Sequence, residues 1–350
     1  MQNRLKKLVR ARLFWPLVAL ALMIIFNIIF VSDFLKIEVK DGYYYGRIID
    51  IINRSAPLMI MAIGMTLVAA TGGIDISVGS VAAISGAIVC TLIGGDFQGN
   101  PKYPFAVAIA AALLVTALTG LWNGMLVGKL GIQPTVATLI LYVAGRGIAQ
   151  LITEGQIITV YYKPFAYIGG FVPGIPIPFS IIIMAVVLVI VMIILKKTAL
   201  GLFIESVGVS ADASKVTGID VTKIKIIIYT FCGLCAGIAG LIISSMIRAA
   251  DANNAGLMYE MDAILAVAVG GTSLNGGRFS IAASIIGALI VQCITTTMYA
   301  IGVSSQVLPM IKAIIVIIIC LVQSEAFRKA ILNVFKIKRG LTHEKNAVKL

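Results

Sequence analysis

The sequence has few charged residues and only one histidine. Charged residues make up 12% of its 350 positions, roughly half their usual share in a soluble domain, whereas hydrophobic residues make up 60%. The histidine, His343, lies near the C-terminus, and the five cysteines all lie within apolar runs, where a thiol packs as a small hydrophobe. No metal set and no catalytic nucleophile with its base can be assembled from these residues. We therefore expect neither an enzyme nor a cofactor.

A nucleotide-binding P-loop is also missing. The segment VGGTSLNGGRFS at 269 to 280 is glycine-rich, but it has no Gly-Lys-Ser/Thr ending and does not follow a soluble strand. The chain is therefore not expected to hydrolyse ATP itself.

Continuous apolar runs dominate the rest of the chain. They do not alternate, so helices rather than barrel strands must satisfy the backbone in lipid. The predicted fold class is all-α: a polytopic membrane helical bundle, with residues 13 to 323 forming the bundle of one domain that spans 1 to 350. Short or broken helices are expected near 71 to 80 and 269 to 280. The ten predicted spans are 13 to 31, 56 to 71, 78 to 94, 105 to 127, 132 to 152, 178 to 195, 224 to 247, 262 to 272, 280 to 300 and 308 to 323.

The net charge of +13 is distributed as expected for a membrane protein and not for a nucleic-acid-binding one. With ten spans, 19 of the 28 lysines and arginines fall on the side of the two termini, eight fall on the other side, and Arg146 lies within a span. By the positive-inside rule both termini are cytoplasmic. Residues 196 to 225 are then a cytoplasmic connection, and 324 to 350 are a cytoplasmic tail.

Two connections are longer than a simple turn. Residues 196 to 225 place apolar side chains at near-helical spacing, which predicts one or two short helices on the cytoplasmic surface; an ordinary connector is the alternative. The segment 153 to 178 is rich in proline and glycine and predicts a shaped loop or a short surface helix.

Glycines recur at four-residue spacing in two spans. They are Gly120, Gly124 and Gly128 in one span, and Gly233 and Gly237, followed by Gly240, in another. Because glycine lets helices approach closely, the pattern predicts a tightly packed bundle. It is common to many membrane proteins and identifies no function.

The stretch TGGIDISVGSVAAISG places a carboxylate, Asp75, between two spans. Gly72 and Gly73 let one helix end, and a new helix can begin near Ser77. Asp75 is then an N-cap or first-turn anion. Alternatively, the broken backbone lines a polar cavity on the route of a hydroxylated solute. Both can hold together.

Other polar residues lie in or beside spans without an obvious partner. Arg146 has three candidate contacts, namely backbone carbonyls, a solute, or Glu154 two helical turns further on; an ion pair with Glu154 is the favoured interpretation. The candidate residues of a solute route are Gly72, Gly73, Asp75, Ser77, Asn123, Gln133, Thr135 and Thr138.

Several segments, read in order, resemble a known family. From about Asn53 to Gln323 the chain resembles the sugar permeases of bacterial ABC importers, the ribose, galactose and xylose group of the branched-chain amino acid transporter superfamily, and particularly galactofuranose importer permeases. The segments are GGIDISVGS, IQPTVATLILYVAGRGIAQLI, TALGLFIESVGVSADASKVTGIDV, RAADANNAGLMYEMDAILAVAVGGTSLNGGRFS and LPMIKAIIVIIICLVQ. The first and the GGTSLNGG part of the fourth are the most specific.

The resemblance implies a monosaccharide importer in the bacterial inner or plasma membrane that works by alternating access. It also implies a cytoplasmic ABC ATPase, an extracytoplasmic sugar-binding protein, and a second permease subunit, either identical or different. Residues 198 to 223 would be the coupling element that contacts the ATPase. The residues that match its pattern are Glu205, Gly208, Ala213 and Gly218.

Charged and polar residues on the extracytoplasmic side are candidates for docking the binding protein, because exposed arginines commonly pair with carboxylates on a partner. The alternative is that each anchors the chain at the membrane interface. The candidates are Arg47, Arg54, Arg248, Asp251, Asn253, Asn254 and Glu260.

Three other classes of membrane protein compete with this interpretation. An ion-coupled secondary transporter usually places carboxylates or histidines in mid-span, and the central spans here are nearly bare of them. A channel would need a filter or charged ring, and the sequence has neither. A membrane enzyme lacks its catalytic residues. An ABC permease for another substrate of the superfamily remains open.

Overall fold

The described part of the chain folds as a bundle of helices with two very small sheets. A computed structural model describes residues 13–94 and 96–323. Within them the helices are α1 Phe14–Phe30, α2 Arg47–Ala70, α3 Val78–Ile93, α4 Phe105–Gly128, α5 Pro134–Ile152, α6 Lys163–Gly169, α7 Phe179–Lys197, α8 Leu200–Val209, α9 Ala211–Val216, α10 Val221–Ile247, α11 Tyr259–Val269, α12 Ile281–Ala300 and α13 Leu308–Gln323. Strands β1 Ile37–Lys40 and β2 Tyr43–Gly46 pair with each other, as do β3 Ile158–Thr159 and β4 Ala249–Ala250. The predicted all-α class is confirmed.

Among the described residues, six helices are long and apolar enough to cross a membrane, namely α2, α4, α5, α7, α10 and α12. Each overlaps a predicted span, but α2 begins nine residues before the predicted start at 56, so Arg47 and Arg54 lie on this helix and not before it. The other four predicted spans overlap the shorter helices α1, α3, α11 and α13, which have 11 to 17 residues. The chain is therefore a multi-pass membrane protein. The predicted tail at 324 to 350 and the basic residues before position 13 lie outside the described residues.

The eighth predicted span is displaced. It was expected at 262 to 272, whereas α11 begins at Tyr259 and ends at Val269, before a left-handed Gly271. Glu260 and Asp262 lie in its first turn, where the positive end of the helix dipole stabilises carboxylates. The hydropathy pattern placed Glu260 before the span and Asp262 at its edge, whereas both belong to α11.

A β-hairpin precedes α2, and the hydropathy pattern did not predict it. Asp41 and Gly42 both have positive φ, which is typical of the two-residue turn that joins tightly paired strands. On β1, Glu38 lies between two lysines, and hydrogen bonds from Lys40 and Lys36 lower its pKa to about 2. The sequence signal was present, since Asp-Gly lies between residues that favour strands.

The centre of the bundle is formed by α2 and α10. Almost every residue of α2 after its second turn is buried. Glycines let α4 and α10 cross closely, because a Cβ added at Gly120 would lie 2.4 Å from the Tyr229 carbonyl oxygen, and one at Gly233 would lie 2.5 Å from that of Thr116. The tight packing predicted from the glycine spacing is therefore confirmed.

The two ends of the bundle can be told apart along α2. This helix has 24 residues and is about 36 Å long. It begins directly after β2, and its last residue, Ala70, contacts α8. We call these two ends the hairpin end and the α8 end.

Both long connections contain short helices, as predicted. At the α8 end, α8 and α9 are separated by Ser210, whose hydroxyl accepts a hydrogen bond from the Ala213 N–H. At the hairpin end, α6 packs against α10, because the Gly169 N–H donates to the Ser245 hydroxyl at 2.8 Å.

Candidate functional site

The break between α2 and α3 is formed as the glycines suggested. Gly72 has a φ of 77°, which releases the chain from α2. Asp75 is 1% exposed, and its Oδ1 accepts hydrogen bonds from the Ser77 N–H at 2.9 Å and the Ser77 hydroxyl at 2.5 Å. Ser77, not Asp75, is the N-cap residue of α3. The predicted position of the carboxylate, at the cap or in the first turn, was therefore wrong: Asp75 lies two residues before the observed cap, yet it still accepts a hydrogen bond from a free N–H at the start of the helix.

Four of the candidate route residues meet in one cluster. The Asn123 side-chain amide donates to the Ser77 hydroxyl at 2.9 Å. Thr138 Oγ1 accepts from the Ile76 N–H at 3.2 Å, so α5 is tied to the same break. Asp75, Ser77, Asn123 and Thr138 are all buried. We call these four residues the Asp75 cluster.

The other route candidates differ in position. Gly73 lies beside the cluster, where an added Cβ would be 2.5 Å from the Tyr229 hydroxyl oxygen. Gly72 is exposed at the α8 end. Gln133 is the N-cap residue of α5, and the Thr135 carbonyl accepts a hydrogen bond from the Thr138 hydroxyl of the cluster at 3.5 Å. Within the described part of the chain, the Asn123 Oδ1 and the Tyr229 hydroxyl are buried without a hydrogen-bond partner. The cluster is closed to solvent in this conformation.

Replacing Asp75 by alanine is expected to destabilise the fold. The buried Ser77 N–H and hydroxyl would lose their shared acceptor, at a cost of about 1–3 kcal/mol. Asp75→Asn keeps the Oδ1 acceptor and is the matched control. Thermal unfolding of the purified variants in detergent measures the difference. An alanine variant as stable as the wild type would contradict the capping role, and normal folded yield with lost transport would favour the solute-route hypothesis.

Three distant segments meet at the α8 end through backbone contacts. The Gly277 N–H donates to the Ala70 carbonyl at 2.9 Å. A Cβ added at Gly208 would lie 1.8 Å from that same carbonyl oxygen and 2.4 Å from the Gly277 nitrogen. A Cβ added at Gly276 would lie 2.5 Å from the Gly208 carbonyl and 3.0 Å from the Gly72 nitrogen. We call Ala70, Gly72, Gly208, Gly276 and Gly277 the glycine junction.

An open groove of about 370 Å³ adjoins this junction between α8 and α9. Glu205 and Ala213 line it, together with Arg278 from the loop that contains Gly276 and Gly277. Gly218 lies apart from the groove, and its φ of 86° forms the turn after α9. Of the four predicted coupling residues, two therefore line the groove, Gly208 forms the junction, and Gly218 shapes the following turn.

Arg146 does not form the favoured ion pair. Its Nη1 donates to the carbonyl oxygens of Ala252 at 3.1 Å and Ala255 at 2.6 Å, which is the carbonyl alternative. The prediction of a pair with Glu154 was wrong, because α5 ends at Ile152 and the helical spacing does not continue to Glu154.

Two carboxylates in the first turn of α11 are withdrawn from solvent, Glu260 fully and Asp262 largely, and the hydropathy pattern did not predict this. Glu260 is 1% exposed and packs against Gly79, where an added Cβ would lie 2.1 Å from its Oε2. Asp262 pairs with Lys312 of α13 at 2.8 Å, and the side chains are only 17% and 12% exposed. Glu260 is therefore not available for docking, since its side chain faces the bundle.

The remaining docking candidates lie near the surface. Arg47, Arg54 and Arg248 are exposed, and Arg54 pairs with Asp50 one turn earlier on α2 at 3.3 Å. Asp251, Asn253 and Asn254 lie in the loop after β4, where Asp251 accepts from both asparagine N–H groups and Asn253 accepts from Gln150. Some of their hydrogen-bonding groups are therefore already used within that loop and its contact with α5.

A pocket of about 410 Å³ surrounds Arg248 at the hairpin end. Lys163 adds a second cation, and Tyr161, Tyr162 and Tyr167 add aromatic area. Tyrosine and arginine are enriched at protein interfaces, and two cations suit carboxylates on a partner. Arg248 could be selected from the sequence because it is a charge beside a span, whereas Lys163 and the tyrosines were missed, because only the fold brings them to the same pocket.

Comparison with known proteins gives the same family over most of the chain. The family described as "Branched-chain amino acid transport system / permease component" matches residues 47–322. The galactofuranose transporter permease protein YtfT of Escherichia coli K12 is 45% identical over 91% of this chain and 93% of its own length. The fructose import permease protein FruF of Bifidobacterium longum NCC 2705 is 38% identical, with coverage of 99% and 97%. The ribose import permease protein RbsC of E. coli K12 is 36% identical, with coverage of 80% and 86%.

No solved structure matches the chain. The family match nevertheless extends from the start of α2 to within the last turn of α13, and thus includes the Asp75 cluster, the glycine junction and the ion pair of Asp262 with Lys312. This chain therefore belongs to the family of permease components of branched-chain amino acid transport systems.

Proposed function

We propose that this chain is the transmembrane permease subunit of an ATP-driven ABC importer that moves a monosaccharide into the cell by alternating access. The observation that carries the proposal is the similarity over most of the chain to permeases named for galactofuranose, fructose and ribose. Galactofuranose or a related sugar is the first candidate substrate. A branched-chain amino acid, which the family description names, is the alternative.

The α8 end is the cytoplasmic end in this proposal, and the hairpin end faces the exterior of a bacterial inner or plasma membrane. The support is the charge count, because 19 of the 28 lysines and arginines fall on the side that carries the α8–α9 segment. Both termini then belong to the cytoplasmic side.

A separate cytoplasmic ABC ATPase docks on the groove beside α8 and α9. Glu205 and Arg278 give this groove charges of both signs, and the glycine junction lies directly beside it. A displacement of α8 would push on the backbone atoms of Ala70 and Gly72. These atoms cannot move aside by a change of rotamer, as a flexible side chain can, so the backbone itself must shift. The break that carries the Asp75 cluster begins at those residues, so movement of α8 can open or close this part of the bundle.

Reversal of charge at Glu205 is expected to lower uptake about tenfold, since it would repel an ATPase surface that complements the groove. Glu154→Lys, an exposed carboxylate at the hairpin end, is the control with the same change in net charge. Binding of the purified ATPase and uptake of sugar by the full assembly are the two readouts. Normal binding and uptake in Glu205→Lys would remove the coupling role of this residue.

An extracytoplasmic sugar-binding protein docks at the hairpin end. The support is the exposure of Arg47, Arg54 and Arg248, and the pocket in which Lys163 and several tyrosines surround Arg248. Asp251, Asn253 and Asn254 form the loop beside this surface. Buried Glu260 is no longer included.

A second permease subunit, identical or different, completes the pathway, and lipid surrounds the pair. Helix α7 supports a lipid contact, because only 11% of its most apolar stretch is buried within this chain. Reconstitution distinguishes a pair of identical permeases from a pair of different ones, because only the identical pair can be assembled from this chain as the sole permease.

The buried carboxylates bear on the rival ion-coupled mechanism. The sequence suggested spans nearly bare of such groups, whereas Asp75 and Glu260 are buried in the bundle and the Asp262 side chain is only 17% exposed. Asp262 is paired with Lys312, and Asp75 accepts two hydrogen bonds from Ser77. Two of the three thus have structural partners, which supports retention of the ATP-driven mechanism.

Uptake of radiolabelled sugars by cells that lack their own sugar permeases tests the substrate class. The chain is expressed with its ATPase and binding protein. Unlabelled D-galactofuranose, D-ribose, D-fructose and leucine are each added as competitors of the labelled sugar, and entry of labelled leucine is measured separately. The proposal expects competition by at least one sugar and none by leucine. Uptake of leucine alone would contradict it.

A further inference from the structure

A second pocket, of about 290 Å³, lies at the hairpin end between β2, the first turns of α2 and the segment before α7. Its volume is at the low end of the range for small-molecule sites, so it suits a single small ring. The two sides of this pocket differ in chemistry. One is polar and belongs to α2, and the other is aromatic.

The polar side consists of Arg47, Asp50 and Asn53, which are spaced three residues apart and share one face of α2. In the described part of the chain, Arg47 has no ion pair or side-chain hydrogen bond. Asp50 uses only Oδ2 to bind Arg54, so its Oδ1 can accept. Asn53 accepts from the Ser180 hydroxyl through Oδ1, so its side-chain N–H groups can donate.

The aromatic side consists of Tyr44, Tyr45 and Phe171. The rings of Tyr45 and Phe171 lie 5.0 Å apart between centroids. The Tyr44 N–H donates to the Pro176 carbonyl at 2.9 Å, which fixes the hairpin against the segment that carries Phe171. The aromatic side is therefore held in place before any ligand binds.

This combination matches the chemistry of a monosaccharide. A sugar ring has an apolar C–H face that packs on aromatic rings, and its hydroxyls both donate and accept hydrogen bonds. Asp50 supplies the acceptor, and Arg47 and Asn53 supply donors. The pocket around Arg248, on the other side of Phe171, has two cations and no carboxylate, so it suits an anionic surface rather than a neutral sugar.

We propose that the pocket between the hairpin and α2 binds one neutral monosaccharide with low affinity as the sugar enters the permease. The inference rests on the proposed function for its orientation and substrate class. It adds a sugar contact at the hairpin end, at the opposite end of α2 from Gly72 and the break that carries the Asp75 cluster.

Saturation-transfer NMR on the full chain in lipid nanodiscs tests this site. D-ribose, D-fructose and D-galactose are titrated without the binding protein. At least one is expected to give saturable transfer, and Arg47→Met combined with Asn53→Asp should weaken its binding about tenfold, since the donors at both positions are lost. Asn53→Asp retains the acceptor for Ser180, and Tyr45→Leu removes the aromatic side independently. Tyr103→Leu, an equally exposed tyrosine away from the pocket, is the control and should bind as the wild type.

The inference is overturned if none of the three sugars gives saturable transfer from the wild-type chain. It is also overturned if the pocket variants bind sugar as the wild type does. This includes variants that bind the sugar-binding protein more weakly but still bind the free sugar normally. Failure of the proposed function is read separately, from uptake by the full assembly. Normal sugar import with unchanged sugar binding in the variants would reject this pocket and leave the importer function intact.

Discussion

Gly208→Ala is expected to reduce sugar uptake at least about tenfold, a change within the usual range of coupling free energies between sites. The added Cβ would lie 1.8 Å from the Ala70 carbonyl oxygen and 2.4 Å from the Gly277 nitrogen. Both are backbone atoms, so α8 must move away from the end of α2. Alanine favours a helix by about 1 kcal/mol over glycine, so helix propensity alone would predict no loss. The loss must therefore come from the glycine junction.

Gly147→Ala is the matched control for this experiment. Gly147 also lies within a helix, α5, but nothing lies within 4 Å of an added Cβ. The gain in helix propensity is the same, and uptake is expected to stay normal. For both variants, membrane insertion and ATP hydrolysis by the assembled complex are measured beside uptake. Gly208→Ala should keep the first two and lose the third, and normal uptake in this variant would contradict the role of the junction.

Lys312→Met is expected to cost about 3 kcal/mol of stability, the lower end of the range for buried pairs, because it leaves the largely buried Asp262 carboxylate without its cation. The pair joins α13 to the first turn of α11 at 2.8 Å. The double variant Lys312→Met with Asp262→Asn removes both charges and should recover much of the loss. Thermal unfolding in detergent and the yield of monodisperse protein are the measurements.

An exposed ion pair provides the control for this prediction. Lys215 and Asp212 on α9 lie 3.4 Å apart, and both are well exposed to solvent. Lys215→Met should change stability by about 1 kcal/mol or less. A single variant at Lys312 that is as stable as the wild type, or a double variant no better than the single, would show that the pair does not stabilise the bundle.

The helices and the break near Asp75 could be predicted because their signals are local. Adjacent residues alone are enough to recognise a run of apolar residues, a pair of glycines, or an Asp that precedes a Ser at a helix start. Tight crossing of α4 and α10 also followed from spacing alone. The Asp75 cluster was only partly predictable, since polarity within spans selected Asn123 and Thr138 but did not indicate that both contact the break after α2.

The contacts between distant segments could not be predicted in the same way. Glu260 looked like a loop residue because a carboxylate lowers the local hydropathy, whereas its burial depends on Gly79 of α3. Arg146 was given a partner two turns further on, and the end of α5 removes that neighbour. The glycine junction joins residues near 70, 208 and 276, and nothing local in the sequence shows that these three points touch.

Uptake into proteoliposomes tests most directly whether this chain is a passive pathway driven by a separate ATPase. The purified chain alone, and the chain with its ATPase and sugar-binding protein, are each assayed with and without ATP and after collapse of proton and sodium gradients. The account predicts uptake only from the full assembly with ATP, and no change when the gradients are collapsed. Uptake by the chain alone that follows an ion gradient would contradict it.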